Sequence, residues 1–104
     1  MPVTTIADHP VHVDEEGFPT EYDEWSDELA DSLAAQIGVH LTDEHRALLH
    51  YLREDYLVQG ETATLRRVSA NTDTPVKRLF QLFPAKPAKK MAYVAGLPKP
   101  RGCV

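Results

Sequence analysis

The stretch "LTDEHRALLHYLREDYLVQG" leaves this chain the least freedom. Thr42 caps it, Gly60 stops it, and Leu48, Leu49, Leu52, Tyr56 and Leu57 fall at the spacing that gathers side chains on one side of a helix. A long helix with so broad an apolar face holds together only when other elements cover that face.

The neighbouring segments supply the cover. In "SDELADSLAAQIG", Ser26 caps, Asp27 and Glu28 suit the positive helix end, Leu29, Leu33 and Ile37 form a stripe, and Gly38 ends it. "TATLRRVSA" predicts a short helix that offers Leu65 and Val68 to the core. In "TPVKRLFQLFP", Thr74 is read as the cap and Pro75 as the first helical residue, with Val76, Leu79, Phe80 and Phe83 inward and Pro84 as the stop. "PAKKMAYVAG" predicts a last helix from Pro87 to Gly96. Ahead of all five, "HPVHVDEEGFPTEYDEW" alternates through Val11, His12 and Val13 and turns near Glu16 and Gly17. It predicts a hairpin whose second strand runs from Phe18 to Tyr22, at an edge because of Pro19. The expected fold is mainly α: a small domain of about five helices, helix-turn-helix-like in part, with a short N-terminal β-hairpin. Its body spans residues 1–96, and a flexible C-terminal arm spans residues 97–104.

A length of 104 residues suits one domain, and 42% hydrophobic with 26% charged residues is a globular balance. No apolar run is long enough for a membrane span, and the start "MPVTTIADHP" has neither the basic nor the apolar region of a secretory signal. A single cysteine excludes an internal disulfide, so a reducing, cytoplasmic setting is expected. The net charge of −5 conceals two unlike halves: residues 1–61 balance to −13 and residues 62–104 to +8. Either the halves neutralise each other on packing, or the asymmetry points to a partner with negative charge, nucleic acid or an acidic protein surface.

That basic half ends in "AGLPKPRGCV", with the only cysteine, Cys103, next to last. Pro98 and Pro100 forbid a continuing helix and favour an extended course of about 3.1 Å per residue, so Gly96 to Cys103 reaches roughly 22 Å. Gly96 and Gly102 are the expected joints of the arm. Free cysteine packs as a small hydrophobe, yet this one stands on a proline-stiffened tail, which points to chemistry. Thiolate is the reactive form; Lys99 and Arg101 favour it and the Val104 carboxylate opposes it. Lys86, Lys89 and Lys90 surround the arm's base and are candidates to steer a partner.

The segment "LFQLFPAKPAKKMAYVAGLPKPRGCV" resembles the DsrC/TusE family of sulfur-relay proteins, which includes the gamma partner of dissimilatory sulfite reductase. "LFP", "PAK", "AGLPKP" and the penultimate cysteine carry the resemblance, and the "DEEGFPTEYDEWSDELA" and "LTDEHRALLHYLREDYL" segments support it. Residues 60–74 match less well and look shortened. The resemblance implies a mainly helical fold and a sulfurtransferase role: Cys103 accepts a persulfide from an upstream donor protein and passes the sulfur to an acceptor enzyme. No metal, flavin or other cofactor is implied. Members that work with dissimilatory sulfite reductase carry a second cysteine eleven residues before the penultimate one; Ala92 stands there in this chain. That points to the single-cysteine, TusE-like branch, whose acceptor serves tRNA 2-thiouridine synthesis, so tRNA is engaged only indirectly. A DsrC-like carrier in a sulfur-oxidation relay is the alternative.

From the residues alone, a DNA-binding regulator is a rival, because residues 62–83 can form a helix-turn-helix with Arg66, Arg67, Lys77 and Arg78 towards phosphates. A docking module that uses the arm as a peptide is a third reading. His9, His12, His45 and His50 lack the spacing of a metal site and read as surface or half-buried residues. Trp25, Tyr51, Tyr56, Phe80 and Phe83 read as packing.

Overall fold

Helix α2, Asp43–Gln59, follows its sequence signals closely. At its start the Thr42 N–H donates to Nδ1 of His45 (3.1 Å) while Thr42 Oγ1 accepts from the His45 N–H, a reciprocal cap. Gly60 closes it at φ +75°, with its N–H on the Tyr56 carbonyl. The computed structural model describes residues 3–6 and 9–100, and five helices make up most of them. Helix α1 is Asp27–Gln36, α3 Leu65–Thr72, α4 Val76–Leu82 and α5 Pro87–Val94. Ser26 accepts from the Leu29 N–H and Thr64 from the Arg67 N–H, so α1 and α3 are side-chain capped.

The helices pack α1 and α2 against α5, α2 against α3, α3 against α4 and α4 against α5. Leu29 and Leu33 of α1, Leu49 and Leu52 of α2, Val68, Leu79, Phe83 and Met91 meet in one core, each almost wholly excluded from solvent. The mainly α expectation therefore holds, and α3–α4 is the helix-turn-helix-like pair.

Four local readings change. The paired strands are β1, Val3–Ile6, and β2, His9–His12, antiparallel with Val3 opposite His12. The turn at Glu16 and Gly17 exists, but Phe18–Tyr22 forms no strand: only Pro19 bridges back, to Val13, because the Asp14 carboxylate takes the Glu16 and Phe18 N–H groups into a tight loop. Pro75, with its extended ψ of 144°, occupies the cap of α4 in place of Thr74, and its carbonyl accepts from the Arg78 N–H. Val76 and Phe80 face outward at 41% and 44% exposure, and Leu57 is also exposed; Leu82 takes the inward place beside Leu79. Finally, His45 is buried at 6% exposure: Nδ1 accepts from the Thr42 N–H, so the ring proton sits on Nε2 and points to the Leu82 carbonyl at 2.8 Å.

Candidate functional site

The end of α5 is built to hold the start of the tail. Gly96 adopts φ +72°, its N–H reaches the Tyr93 carbonyl (3.2 Å), and the Leu97 N–H reaches the Ala92 carbonyl (2.9 Å). These two bonds form a Schellman closure, with Leu97 buried as its apolar contact. Gly96 is required twice over: a Cβ there would lie 2.6 Å from Cδ1 of Trp25. Gly96 is thus a sealed corner rather than a free joint.

Side chains from three other elements grip successive carbonyls along this path. Trp25 Nε1 donates to Val94 O (2.8 Å), an Arg53 guanidinium nitrogen to Ala95 O (2.9 Å), and Thr62 Oγ1 to Pro98 O (2.8 Å). Arg53 also donates to Tyr22 O (2.8 Å), and its guanidinium carbon lies 3.8 Å from the Tyr22 ring centroid and 4.4 Å from that of Trp25. Burial draws the Arg53 pKa down; Tyr22 and Asp23 act in the opposite direction. Carbonyl dipoles and ring faces thus replace water around this cation. Lys99 pairs with Glu16 at 3.2 Å, and Pro100 is buried. From Leu97 to Pro100, then, the tail lies against the body, a point that the sequence leaves open. Arg101, Gly102 and Cys103 lie outside the described residues.

Trp25 reads from sequence only as packing, and Thr62 and Glu16 carry no signal of their own. Arg53 carries one: it shares the inward face of α2 with Leu49, Leu52 and Tyr56, and a cation on such a face must find a built partner.

Lys86, Lys89 and Lys90 do come together. They line a groove of about 460 Å³ together with the apolar Phe18, Ile37 and Tyr93. The cations proposed for DNA do not act together: Arg67 is bound to Asp55 (2.8 Å) and Arg78 to both carboxylate oxygens of Glu44 (2.6 and 3.0 Å). Among the described residues, only Arg66 and Lys77 of that set have no carboxylate partner. His45 and His50 serve separate contacts, the first against Phe83 and the second edge-on to Trp25. Among the described residues no three His, Asp or Glu groups are placed to hold a metal ion.

Ala92 is fully buried on the inner side of α5, beside this corner. A family model described as "DsrC like protein" matches residues 5–104. The chain belongs to the DsrC-like family. It is 32% identical over 105 aligned positions to the gamma subunit of dissimilatory-type sulfite reductase from Nitratidesulfovibrio vulgaris, with both chains covered completely. It is 34% identical to the sulfurtransferase TusE of Escherichia coli, covering 90% of this chain and 93% of that one. Both kinds of DsrC-like relative are thus similarly close. The fold matches the solution structure of Allochromatium vinosum DsrC with a TM-score of 0.85, at 33% identity over 98% of this chain and 97% of that one. It matches the oxidized gamma subunit from Archaeoglobus fulgidus with a TM-score of 0.79, at 31% identity over 99% of this chain and all of that one. Among the described residues no helix is long and apolar enough to cross a membrane.

Proposed function

We propose that this chain is a single-thiol sulfur carrier. Cys103 thiolate attacks the terminal sulfur of a donor persulfide, the donor's S–S bond breaks, and the donor leaves as thiolate while Cys103 holds the sulfane sulfur. An acceptor thiolate then attacks that outer sulfur and releases Cys103 unchanged. Each step is an exchange with no net electron transfer, so no redox cofactor is needed.

The observation that carries this reading is Ala92. In a chain with one cysteine, a fully buried alanine occupies the position where the two-cysteine members of the family have their second thiol. Cys103 therefore has no partner in its own chain to expel the bound sulfur as a disulfide, and the sulfur must leave to another protein. This supports a donor protein upstream and an acceptor enzyme downstream, with TusE-like service to tRNA 2-thiouridine synthesis as the destination. Full-length similarity to a gamma subunit of dissimilatory-type sulfite reductase supports a second destination, a DsrC-like carrier role in another sulfur relay.

Intact mass after mixing with a persulfide donor tests the carrier. One added sulfur atom, removable by reductant and absent from Cys103→Ser, is expected. An unmodified wild-type protein, or a loaded variant, overturns it.

A further inference from the structure

The groove beside α5 has features that the sulfur chemistry does not use. Its apolar wall is set before any ligand arrives: Phe18 meets Tyr93 edge to face at 6.1 Å, the Tyr93 hydroxyl donates to Gln36 (2.9 Å), and the Asp14 carboxylate fixes the Phe18 loop (3.0 Å). Three ammonium groups within five residues, those of Lys86, Lys89 and Lys90, line the same groove. Among the described residues Arg46, Arg67, Arg78 and Lys99 are each paired with a carboxylate. Lys86 and Lys89 pair with none, and Lys90 donates to the uncharged carbonyl of Pro84. A chain of net charge −5 thus concentrates unmatched positive charge along one apolar groove.

The groove also adjoins the path of the tail. Glu16 forms part of its edge and is the residue that holds Lys99. Cys103 follows Lys99 by four positions, a span of at most roughly 14 Å for an extended chain. A protein seated in the groove therefore has the thiol within reach.

We infer that the groove takes an acidic, apolar-anchored segment of a protein that exchanges sulfur with Cys103: an aromatic or aliphatic side chain against Phe18, Ile37 and Tyr93, and flanking carboxylates on Lys86, Lys89 and Lys90. This rests on the carrier reading above. An apolar anchor in a preformed pocket with a charged rim is the usual build of a protein docking site. A nucleic acid fits less well, since Phe18 and Tyr93 meet edge to face, one ring occupying the other's face, and a phosphate strand would lie along apolar side chains.

The test uses the full-length ¹⁵N-labelled protein and a short synthetic peptide with a phenylalanine-leucine pair flanked by glutamates. Amide shift changes are expected to gather at Phe18, Ile37, Lys89, Lys90 and Tyr93, and to weaken as salt is raised. The Lys86→Glu, Lys89→Glu double variant, with its fold checked by its own spectrum, is expected to bind about tenfold more weakly or worse. Shifts gathered elsewhere, no binding at millimolar peptide, equal binding of a lysine-flanked peptide, or tighter binding of a single-stranded oligonucleotide at these residues each overturn the inference. Sulfur loading of the wild-type protein, read by mass, reports on the carrier reading independently of any peptide result.

Discussion

Two residues eleven places apart hold left-handed backbone for opposite reasons. Gly96 has φ +72° in a corner filled by Trp25, and no other residue fits. Ala85 has φ +66° on the exposed rim of the groove, where its Cβ costs about 1 kcal/mol and no contact demands it. Gly96→Ala is expected to lose about 2–4 kcal/mol in urea unfolding, since it adds strained backbone to a collision with the indole. Ala85→Gly is expected to gain about 0.5 kcal/mol, the relieved strain being partly offset by a freer unfolded chain. Equal effects of the two would refute the distinction. The sequence marks Gly96 as a helix stop, because a glycine after an apolar-periodic run has that meaning anywhere. It does not show the indole that seals the corner, for Trp25 lies 71 positions away, and nothing local in either segment encodes that approach.

At the scale of elements, single side chains fasten one piece to the next. His45, at the start of α2, satisfies the Thr42 N–H on one side and the Leu82 carbonyl at the end of α4 on the other. Replacing it by alanine strands both groups and opens space beside Phe83, so His45→Ala is expected to cost about 2–3 kcal/mol by chemical denaturation. A loss below half that would show the bonds to be replaceable by water. Glu24 plays the same part for β2, accepting from the His12 N–H (2.9 Å) and from its ring Nδ1 (2.7 Å). The backbone bond leads in holding its carboxyl below the ordinary 4.5. A carboxylate with a depressed folded pKa stabilises above the unfolded value and loses that contribution as pH falls through the folded one. Stability is therefore expected to fall as pH drops below about 4.5, and Glu24→Gln to flatten the slope in that window; an unchanged slope would assign acid sensitivity elsewhere. Helix limits were legible because caps and glycines are local signals. The outward turn of Val76 and Phe80 was not: α4 is short, its other face already supplies Leu79 and Leu82, and periodicity alone does not say which apolar stripe meets the core. The strand partner of β2 lay upstream in Val3–Ile6, where the sequence offers no alternation to betray it.

Across the whole molecule, the acidic and basic halves are partly reconciled by packing, since Asp55, Glu44 and Glu16 hold Arg67, Arg78 and Lys99. Among the described residues three of the cations left without a carboxylate partner, Lys86, Lys89 and Lys90, line one groove beside α5. The tail itself is held by a ladder of three donors, Trp25, Arg53 and Thr62, of which the first two fix the buried corner at Val94 and Ala95 and the third alone grips beyond Leu97. Thr62→Val removes that third donor at constant shape. The Pro98 carbonyl is only half-buried and turns to water, so global stability should fall by no more than about 1 kcal/mol. What should change is local order: the heteronuclear NOE of the Lys99 amide is expected to drop while those of α5 stay as they are. If Lys99 remains as rigid as in the wild type, then Leu97, the buried Pro100 and the Lys99–Glu16 pair hold this segment without Thr62. If it loosens, one hydroxyl at the α2–α3 junction sets how much of the proline segment is free, and on the proposed carrier reading the rate of transfer between proteins should change with it while the core is untouched.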